Sequence, residues 1–174
     1  TRPDMPAAVL AQSLVAQLTE FNRLAALSDA QVSHVKAHGA LYNDLIEDIA
    51  LAQLFLDLVQ ATTPTAALMT MPHGALFELA QQRKVHLITE GFADRRYQNN
   101  GRLTPRQQPD ALLSPTDTLT QALQLAQGHP IGTPLTELSL HVESICLHGD
   151  NPDAVAQARQ IRQLLLRQGF CIAG

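Results

Sequence analysis

The chain has 174 residues, of which 45% are hydrophobic and 16% are charged, and its formal net charge is −4. This length and balance are typical of one globular domain with a hydrophobic core, so we predict a single domain over residues 1–174. The negative charge and the scattered lysines and arginines argue against a nucleic-acid partner, because phosphate binding needs a basic face. No apolar run approaches the length of a membrane span, which predicts a cytoplasmic protein without membrane contact.

The first half of the chain alternates between helical and strand-like patterns. Leucines and Phe21 recur at helical spacing near the beginning, which predicts an amphipathic helix there. Three short strand-like runs follow, at 32–36, 66–70 and 85–89. Between the first two runs, a helix is expected to begin at the capping residues Asn43 and Asp44 and to continue without a break to Val59.

The second half begins with a long segment that has no regular pattern. Residues 96–115 contain an Asn-Asn-Gly turn signal and three prolines. We predict a functional loop there, because long loops in compact domains usually carry function. Ser114 and Pro115 are typical of a helix start, and Gly128 is the expected end of that helix. The remaining predicted elements are a strand at 144–147, a helix at 152–169 and a short strand at 170–172.

The repeated order of strand and helix predicts an α/β fold with a parallel sheet or barrel. In such folds the carboxyl ends of the strands form the ligand crevice. Three strand candidates end in a His-Gly pair, and a fourth ends in a glutamate that is soon followed by an Asp-Arg pair. The residues concerned are His38, His73, His148, Glu90, Asp94 and Arg95. We therefore expect imidazole, carboxylate and guanidinium groups to converge at one edge as a polar active site.

Each of these residues also has a purely structural interpretation. The histidines could donate hydrogen bonds to backbone carbonyls. Glu90, Asp94 and Arg95 could form surface salt bridges, which contribute little to stability. Asp150, which follows the third His-Gly pair, could cap the next helix.

Several common site motifs are absent from the sequence. There is no HxH or HExxH spacing, so a metal site would have to assemble from distant segments and its ligands are not assigned. The GxxxxGK[ST] phosphate loop and the GxSxG nucleophile motif are also missing. Cys146 and Cys171 lie in apolar runs and are predicted to be small buried side chains rather than a disulfide pair.

Three blocks of sequence carry the most specific signal. They are VKAHGALYN at Val35–Asn43, EGFADRRY at Glu90–Tyr97 with GRLTPR at Gly101–Arg106, and ICLHGD at Ile145–Asp150. In this order, and with helices between them, they resemble the LamB/YcsF family, and the similarity extends from about Met5 to Gly169. The chain departs from the family pattern at Ala37, where the family has Pro, and at Gln107, where it has Ser. Neither departure removes a reactive group.

The resemblance implies a distorted (β/α) barrel of the glycoside hydrolase and deacetylase type. Family members begin with further strands that carry Asp-Leu-Asn, Phe-His-Ala-Gly-Asp and His-Pro-Ser blocks, which do not occur in this sequence. We therefore expect the chain to correspond to the C-terminal two-thirds of the barrel, without its first strands. The resemblance also implies the A subunit of a 5-oxoprolinase. Such an enzyme opens 5-oxo-L-proline to L-glutamate, cleaves ATP to ADP and phosphate, and works with partner subunits B and C.

The resemblance further suggests roles for the matched residues. The expected catalytic residues are His38, Glu90, Asp94 and His148. Glu90 or Asp94 would act as general base, and the histidines would polarise the substrate or move protons. The expected ligands of the substrate, or of the phosphates of ATP with Mg²⁺, are Lys36, Asn43, Arg95, Tyr97, Arg106 and Asp150. A metal-dependent deacetylase or carbohydrate hydrolase, a non-catalytic binding subunit, and a homo-oligomer all stay open at this point.

Overall fold

The computed structural model describes residues 5–132, 138–150 and 152–173. These residues form six α-helices and four β-strands, which alternate along the chain except that two helices follow the first strand. The helices are α1 (Ala7–Leu27), α2 (Gly39–Glu47), α3 (Ile49–Thr62), α4 (Ala75–Gln82), α5 (Pro115–Gln127) and α6 (Ala154–Arg167). The strands are β1 (His34–Val35), β2 (Ala67–Thr70), β3 (Leu87–Phe92) and β4 (Ser144–Cys146). The predicted α/β class is confirmed.

The chain divides into two compact units, residues 1–88 and 89–174. In the first unit, β1 pairs with β2 in parallel, with Val35 opposite Leu68. The buried face of α3 supplies much of the core of this unit; its buried residues are Leu51, Ala52, Phe55, Leu56 and Val59. Burial of each large apolar side chain stabilises the unit by about 1.5–3 kcal/mol before entropic costs. The single-domain organisation stays a prediction.

The helix predicted from position 43 to Val59 is in fact two helices. α2 begins at Gly39, before the capping residues that were expected to start it, and ends at Glu47. Asp48 has an extended backbone, and its carboxylate accepts a hydrogen bond from the Leu51 N–H at 2.9 Å, which makes it the N-cap of α3. The prediction was wrong because helical apolar spacing continues across the break, whereas a short acidic side chain competes locally for backbone N–H groups.

Gly74, at the N-cap of α4, packs tightly against the end of α2. Its φ of +90° and ψ of 176° lie in a region that essentially only glycine adopts. A Cβ at this position would lie 2.6 Å from Ile46 Cγ2 and 2.8 Å from the Ile46 carbonyl oxygen. We predict that Gly74→Ala lowers the free energy of unfolding by about 2–4 kcal/mol, because backbone strain and collision add.

Urea denaturation measures this loss, and Gly39→Ala is its matched control. Gly39 also has a positive φ, of +61°, but no atom lies within 4 Å of its Cβ position. We expect Gly39→Ala to cost only about 1–2 kcal/mol from backbone strain. Equal losses for the two variants would contradict the steric argument.

In the second unit, β3 pairs with β4 in parallel, with Glu90 opposite Ser144 and Phe92 opposite Cys146. Helices α5 and α6 contribute to one buried apolar cluster, which comprises Ala93, Ala122, Ile161 and Leu165. A second cluster comprises Leu125, Ile131 and Leu140. These clusters hold the paired strands, and therefore the residues that follow them, in one fixed arrangement.

β3 ends later than the sequence predicted, so Glu90 lies inside the strand rather than after it. Glu90 is only 1% exposed, and pairing with β4 continues beyond it to Phe92. The next residue, Gly91, was interpreted as part of the strand end. In the structure it lies within the strand, where its missing side chain lets neighbouring side chains pack closely. A Cβ on Gly91 would lie 3.0 Å from Leu125 of α5 and 3.1 Å from Val142. The prediction failed because Gly91 is required by contacts with residues distant in sequence, which a local pattern does not reveal.

The local signals around α5 are confirmed. The Ser114 hydroxyl oxygen accepts a hydrogen bond from the Asp117 N–H at 3.2 Å, and Pro115 occupies the first helical turn. Gly128 ends the helix in the left-handed conformation, with φ of +66°. The preceding segment, 96–114, is described throughout and contains only isolated bridges, such as that between Tyr97 and Leu103. Its role as a functional loop stays a prediction.

Two predictions for the end of the chain are wrong. Residues 170–173 form no strand, and Cys171 is exposed rather than buried. Phe170 packs against the apolar cluster of α5 and α6, but no strand among the described residues pairs with the segment beyond it. Cys171 is therefore exposed, whereas Cys146 is half-buried within β4. In the ranges that the structure describes, no helix is long and apolar enough to cross a bilayer. The cytoplasmic location stays a prediction.

Candidate active site

Asp94 and His148 are the two predicted catalytic residues that the structure brings into direct contact. Each lies two residues beyond the end of its strand, β3 or β4. His148 Nδ1 lies 3.0 Å from Asp94 Oδ1 and 3.1 Å from Oδ2. The His148 backbone N–H also donates to Asp94 Oδ2, at 3.2 Å. The ring of Phe92 stacks on the imidazole, with centroids 5.5 Å apart.

This arrangement determines which imidazole nitrogen is available for chemistry. The carboxylate of Asp94 engages Nδ1, so the neutral His148 ring carries its proton there and presents Nε2 as a proton acceptor. Nε2 has no protein hydrogen-bond partner among the described residues. An oriented imidazole of this kind, backed by a carboxylate, can act as a general base or acid.

Asp94 is 6% exposed, and its protonation reflects two opposing effects. Burial raises the pKa of the carboxyl group, whereas hydrogen bonds from the His148 side chain and backbone lower it. The net result is a pKa below the ordinary carboxyl value. Asp94 is therefore an ionised carboxylate at neutral pH.

The lowered pKa of Asp94 predicts stability that is lost in acid. Its native pKa lies below its unfolded value of about 3.9, so the native state binds fewer protons. The contribution to stability is full above about pH 5 and disappears as the pH falls through the lowered pKa. We expect wild type to lose more free energy of unfolding between pH 6 and pH 3 than Asp94→Asn does, as measured with urea. Identical losses would contradict the assignment.

Arg95 is a buried guanidinium group whose hydrogen bonds within the described part of the chain all go to backbone carbonyls. Its Nη2 donates to the Thr104 oxygen at 2.7 Å and its Nε to the Ala111 oxygen at 3.3 Å. It forms no salt bridge with any described residue. Burial and the charge of Arg106 lower the pKa of Arg95. The carboxylates of Asp94 and Asp150 act in the opposite direction, but neither forms an ion pair with Arg95. A buried guanidinium group without a direct carboxylate partner among the described residues favours an anionic ligand.

Arg106 and Asp150 form an ion pair between the 96–114 segment and the end of β4. The guanidinium group lowers the pKa of the Asp150 carboxyl. Both side chains are exposed, so the pair contributes little to stability. Asp150 does not cap α6, since the N-cap of that helix is Asp153. The pair instead keeps a second guanidinium group close enough to Arg95 to affect its protonation.

Tyr97 forms a hydrogen bond within the protein that the sequence analysis did not predict. Its hydroxyl oxygen accepts a hydrogen bond from the Phe92 N–H at 2.7 Å, and burial raises its pKa, so the phenol is neutral. The residue also lines a cleft of about 480 Å³ beside α5, a lining that includes neither Asp94 nor His148. Its role as a substrate ligand stays a prediction.

The remaining predicted site residues lie in the first unit. Lys36 Nζ lies 5.7 Å from the ring centroid of Tyr42, within cation–π range. His38 is the exposed N-cap of α2, and its side chain makes no capping hydrogen bond. Asn43 Nδ2 donates to the Gly39 oxygen at 3.2 Å. The catalytic or binding roles of Lys36, His38 and Asn43 stay predictions.

Sequence reasoning missed one residue of this region. Gln121 lies on the buried face of α5 and is 7% exposed. Its side-chain nitrogen donates to backbone carbonyls on both sides of Asp94. The available signal was a glutamine at helical spacing with the buried Thr118, Ala122 and Leu125. A long polar side chain on an apolar helix face usually has a buried partner.

Comparison with protein-family models matches residues 2–174 to the LamB/YcsF family. The chain belongs to this family. Curated LamB/YcsF relatives that are named as the A subunit of 5-oxoprolinase include proteins from Carboxydothermus hydrogenoformans (36% identical) and Bordetella pertussis (38% identical). Each alignment covers 91% of this chain, but the chain spans only 63% and 64% of the lengths of these relatives. A relative of the same name from Vibrio vulnificus is 35% identical over 95% of this chain and 68% of its own length.

A solved structure shows the fold of this LamB/YcsF chain. The lactam utilization protein from Thermus thermophilus superposes with a TM-score of 0.83, over 97% of this chain and 68% of that protein. The two sequences are 24% identical, so the likeness concerns the fold alone. It confirms the predicted class, a (β/α) barrel.

Proposed function

We propose that this chain contributes the A subunit of an ATP-dependent 5-oxoprolinase, which hydrolyses 5-oxo-L-proline to L-glutamate. Family membership and relatives of that name at 35–38% identity support the proposal. The observation that carries it is the Asp94–His148 pair, which is adjacent in the chain to the buried Arg95. The Arg95 guanidinium forms no ion pair with a described residue. A proton-transfer pair beside an anion-binding group suits a substrate that is both a lactam and a carboxylate.

The chemistry of the substrate explains why ATP is needed. The lactam is resonance-stabilised, and its amide nitrogen is a poor leaving group. When bound, ATP would supply a phosphoryl group to the lactam oxygen, which makes the ring carbon electrophilic. Overall, two waters are consumed. One replaces the ring C–N bond as the lactam opens, and the other releases the transferred phosphoryl group as phosphate, so the products are glutamate, ADP and phosphate.

In this proposal the Asp94–His148 pair handles the protons. Asp94 keeps the imidazole oriented, and His148 Nε2 accepts a proton from the attacking water. The same nitrogen then returns a proton to the ring nitrogen as the C–N bond breaks. Each transfer by a positioned group is worth about 10²–10⁴-fold in rate. Glu90, the other candidate base, lies within β3 and is 1% exposed, which makes it a less accessible proton acceptor.

Arg95 and Arg106 are the proposed anion ligands. Guanidinium groups bind carboxylate and phosphate through paired N–H donors, so this donor set fits either the substrate carboxylate or a phosphate of ATP. No group of three or more His, Cys, Asp or Glu side chains in the described ranges could hold a metal ion. Subunits B and C are proposed partners, and family membership and the names of the relatives support this proposal as they support the reaction.

The test is glutamate release from 5-oxoproline by the full-length protein mixed with its B and C subunits. We expect glutamate to form only when ATP is present, with one ADP for each glutamate. A folded and assembled complex that releases no glutamate under these conditions would overturn the proposal. Glutamate formed equally without ATP would overturn the ATP requirement.

A further inference from the structure

One side-chain amide is bonded to the backbone around the candidate catalytic carboxylate. Gln121 Nε2 donates to the carbonyl oxygens of Phe92 at 2.8 Å, Ala93 at 3.2 Å and Arg95 at 2.8 Å. The carbonyl of Asp94 itself accepts from the Leu113 N–H at 3.0 Å. All four consecutive carbonyls from 92 to 95 thus have a donor, and three of them share the two N–H bonds of one amide group.

The three carbonyls flank Asp94 on both sides, so the amide restricts the backbone that carries the carboxylate. Buried carbonyls need hydrogen-bond donors, and no water-exposed alternative is at hand for a buried turn. Hydrogen bonds between Asp94 and His148 depend steeply on distance and angle. A small rotation of this turn would therefore weaken the contact between the carboxylate and the imidazole.

We propose that Gln121 is a positioning residue, whose amide holds the Phe92–Arg95 turn in the conformation that presents Asp94 to His148. Gln121 forms no hydrogen bond with His148 in the described residues, and in this proposal it acts through the backbone of the turn. The inference rests on the proposed function for its catalytic meaning. The geometric part, that Gln121 controls the Asp94–His148 contact, can be tested without any turnover.

The test compares three variants of the full chain. Gln121→Met keeps the length of the side chain and removes the donor. Gln121→Glu is milder, because a protonated carboxyl group still donates to one carbonyl. Gln157→Met is the matched control, since Gln157 is a 4% exposed glutamine of α6 without a side-chain hydrogen bond to the 92–95 turn.

The first readout is the ¹³C-NMR titration of the Asp94 carboxyl group. The titratable groups that act on Asp94 are His148 beyond β4, the adjacent Arg95 and Tyr97 of the 96–114 segment. Burial alone raises the pKa of Asp94, and the His148 hydrogen bonds lower it. We therefore expect the Asp94 pKa to rise in Gln121→Met, to rise less in Gln121→Glu, and to stay unchanged in Gln157→Met.

The second readout is activity of the assembled complex. We expect Gln121→Met to lower kcat by about 10²-fold, the effect of misplacing a reacting group by about 1 Å, with KM for 5-oxoproline nearly unchanged. An unchanged Asp94 titration in a folded Gln121 variant, or an equal shift in Gln157→Met, would overturn the inference. If wild type shows no ring opening, the proposed function fails while the titration still decides the role of Gln121.

If neither Gln121 variant folds, a measurement on the wild-type protein tests the inference instead. The Gln121 side-chain amide resonances should shift with the same midpoint as the Asp94 carboxyl, because protonation of Asp94 releases the turn that the amide holds. If the Gln121 amide resonances do not shift over the pH range in which Asp94 titrates, the inference is overturned.

Discussion

Asp94→Asn is expected to lower kcat for 5-oxoproline ring opening by about 10²–10⁴-fold in the assembled complex. The amide keeps the shape of the side chain but carries no charge. It therefore cannot stabilise the imidazolium that forms when His148 accepts a proton. It can also donate to Nδ1, which would place the imidazole proton on Nε2 and abolish the base.

The measurement is steady-state glutamate release with ATP at saturation, with circular dichroism to verify folding. Asp110→Asn is the matched control, because Asp110 is exposed and its carboxylate forms no hydrogen bond with any residue that the structure describes. Arg96 donates to its backbone oxygen. We expect turnover of the control variant to stay within about twofold of wild type, because Asp110 is not part of the Asp94–His148 pair at the ends of β3 and β4. Wild-type turnover in Asp94→Asn would remove Asp94 from the reaction.

Arg95→Met is expected to raise KM for 5-oxoproline by about 10–100-fold, with a smaller effect on kcat. The reason is the loss of charge-assisted hydrogen bonds to the substrate carboxylate, which are worth about 1.5–3 kcal/mol. Arg95→Lys restores the charge but not the paired donors, so its KM should lie between those of Arg95→Met and wild type. If Arg95 instead binds a phosphate of ATP, the increase will appear in KM for ATP.

Arg96→Met is the matched control for this experiment. Arg96 is adjacent in sequence and half-buried, and its Nε donates to the Asp110 oxygen at 2.9 Å. Arg95→Met also leaves the Thr104 and Ala111 carbonyls without their donor, so thermal unfolding must accompany the kinetics. Equal KM values for both variants would remove Arg95 from anion binding.

The structure changes the relative standing of the candidate bases. From the sequence, Glu90 and Asp94 were equivalent carboxylates, four positions apart after one strand. In the structure, Glu90 lies within β3, and Asp94 lies beyond its end in contact with His148. The difference arises because β3 continues through Gly91, where the missing side chain lets α5 approach.

The sequence by itself determined those features that depend on neighbouring residues. Ser114, Pro115 and Gly128 set the ends of α5, because caps and left-handed turns are local backbone chemistry. The alternation of strand-like and helical segments along the sequence was enough to predict the α/β class. The three motif blocks were enough to predict the family, because their combination in one order is more specific than any single block.

Only the tertiary structure decided which of these side chains meet. Asp94 and His148 are 54 residues apart, and Gln121 is 26–29 residues from the carbonyls that it holds. No local propensity encodes such contacts, since they depend on the register of β3 against β4 and on the packing of α5. Parallel pairing brings the ends of β3 and β4 side by side, and this alignment joins two separate motifs in one hydrogen-bonded pair, Asp94 and His148.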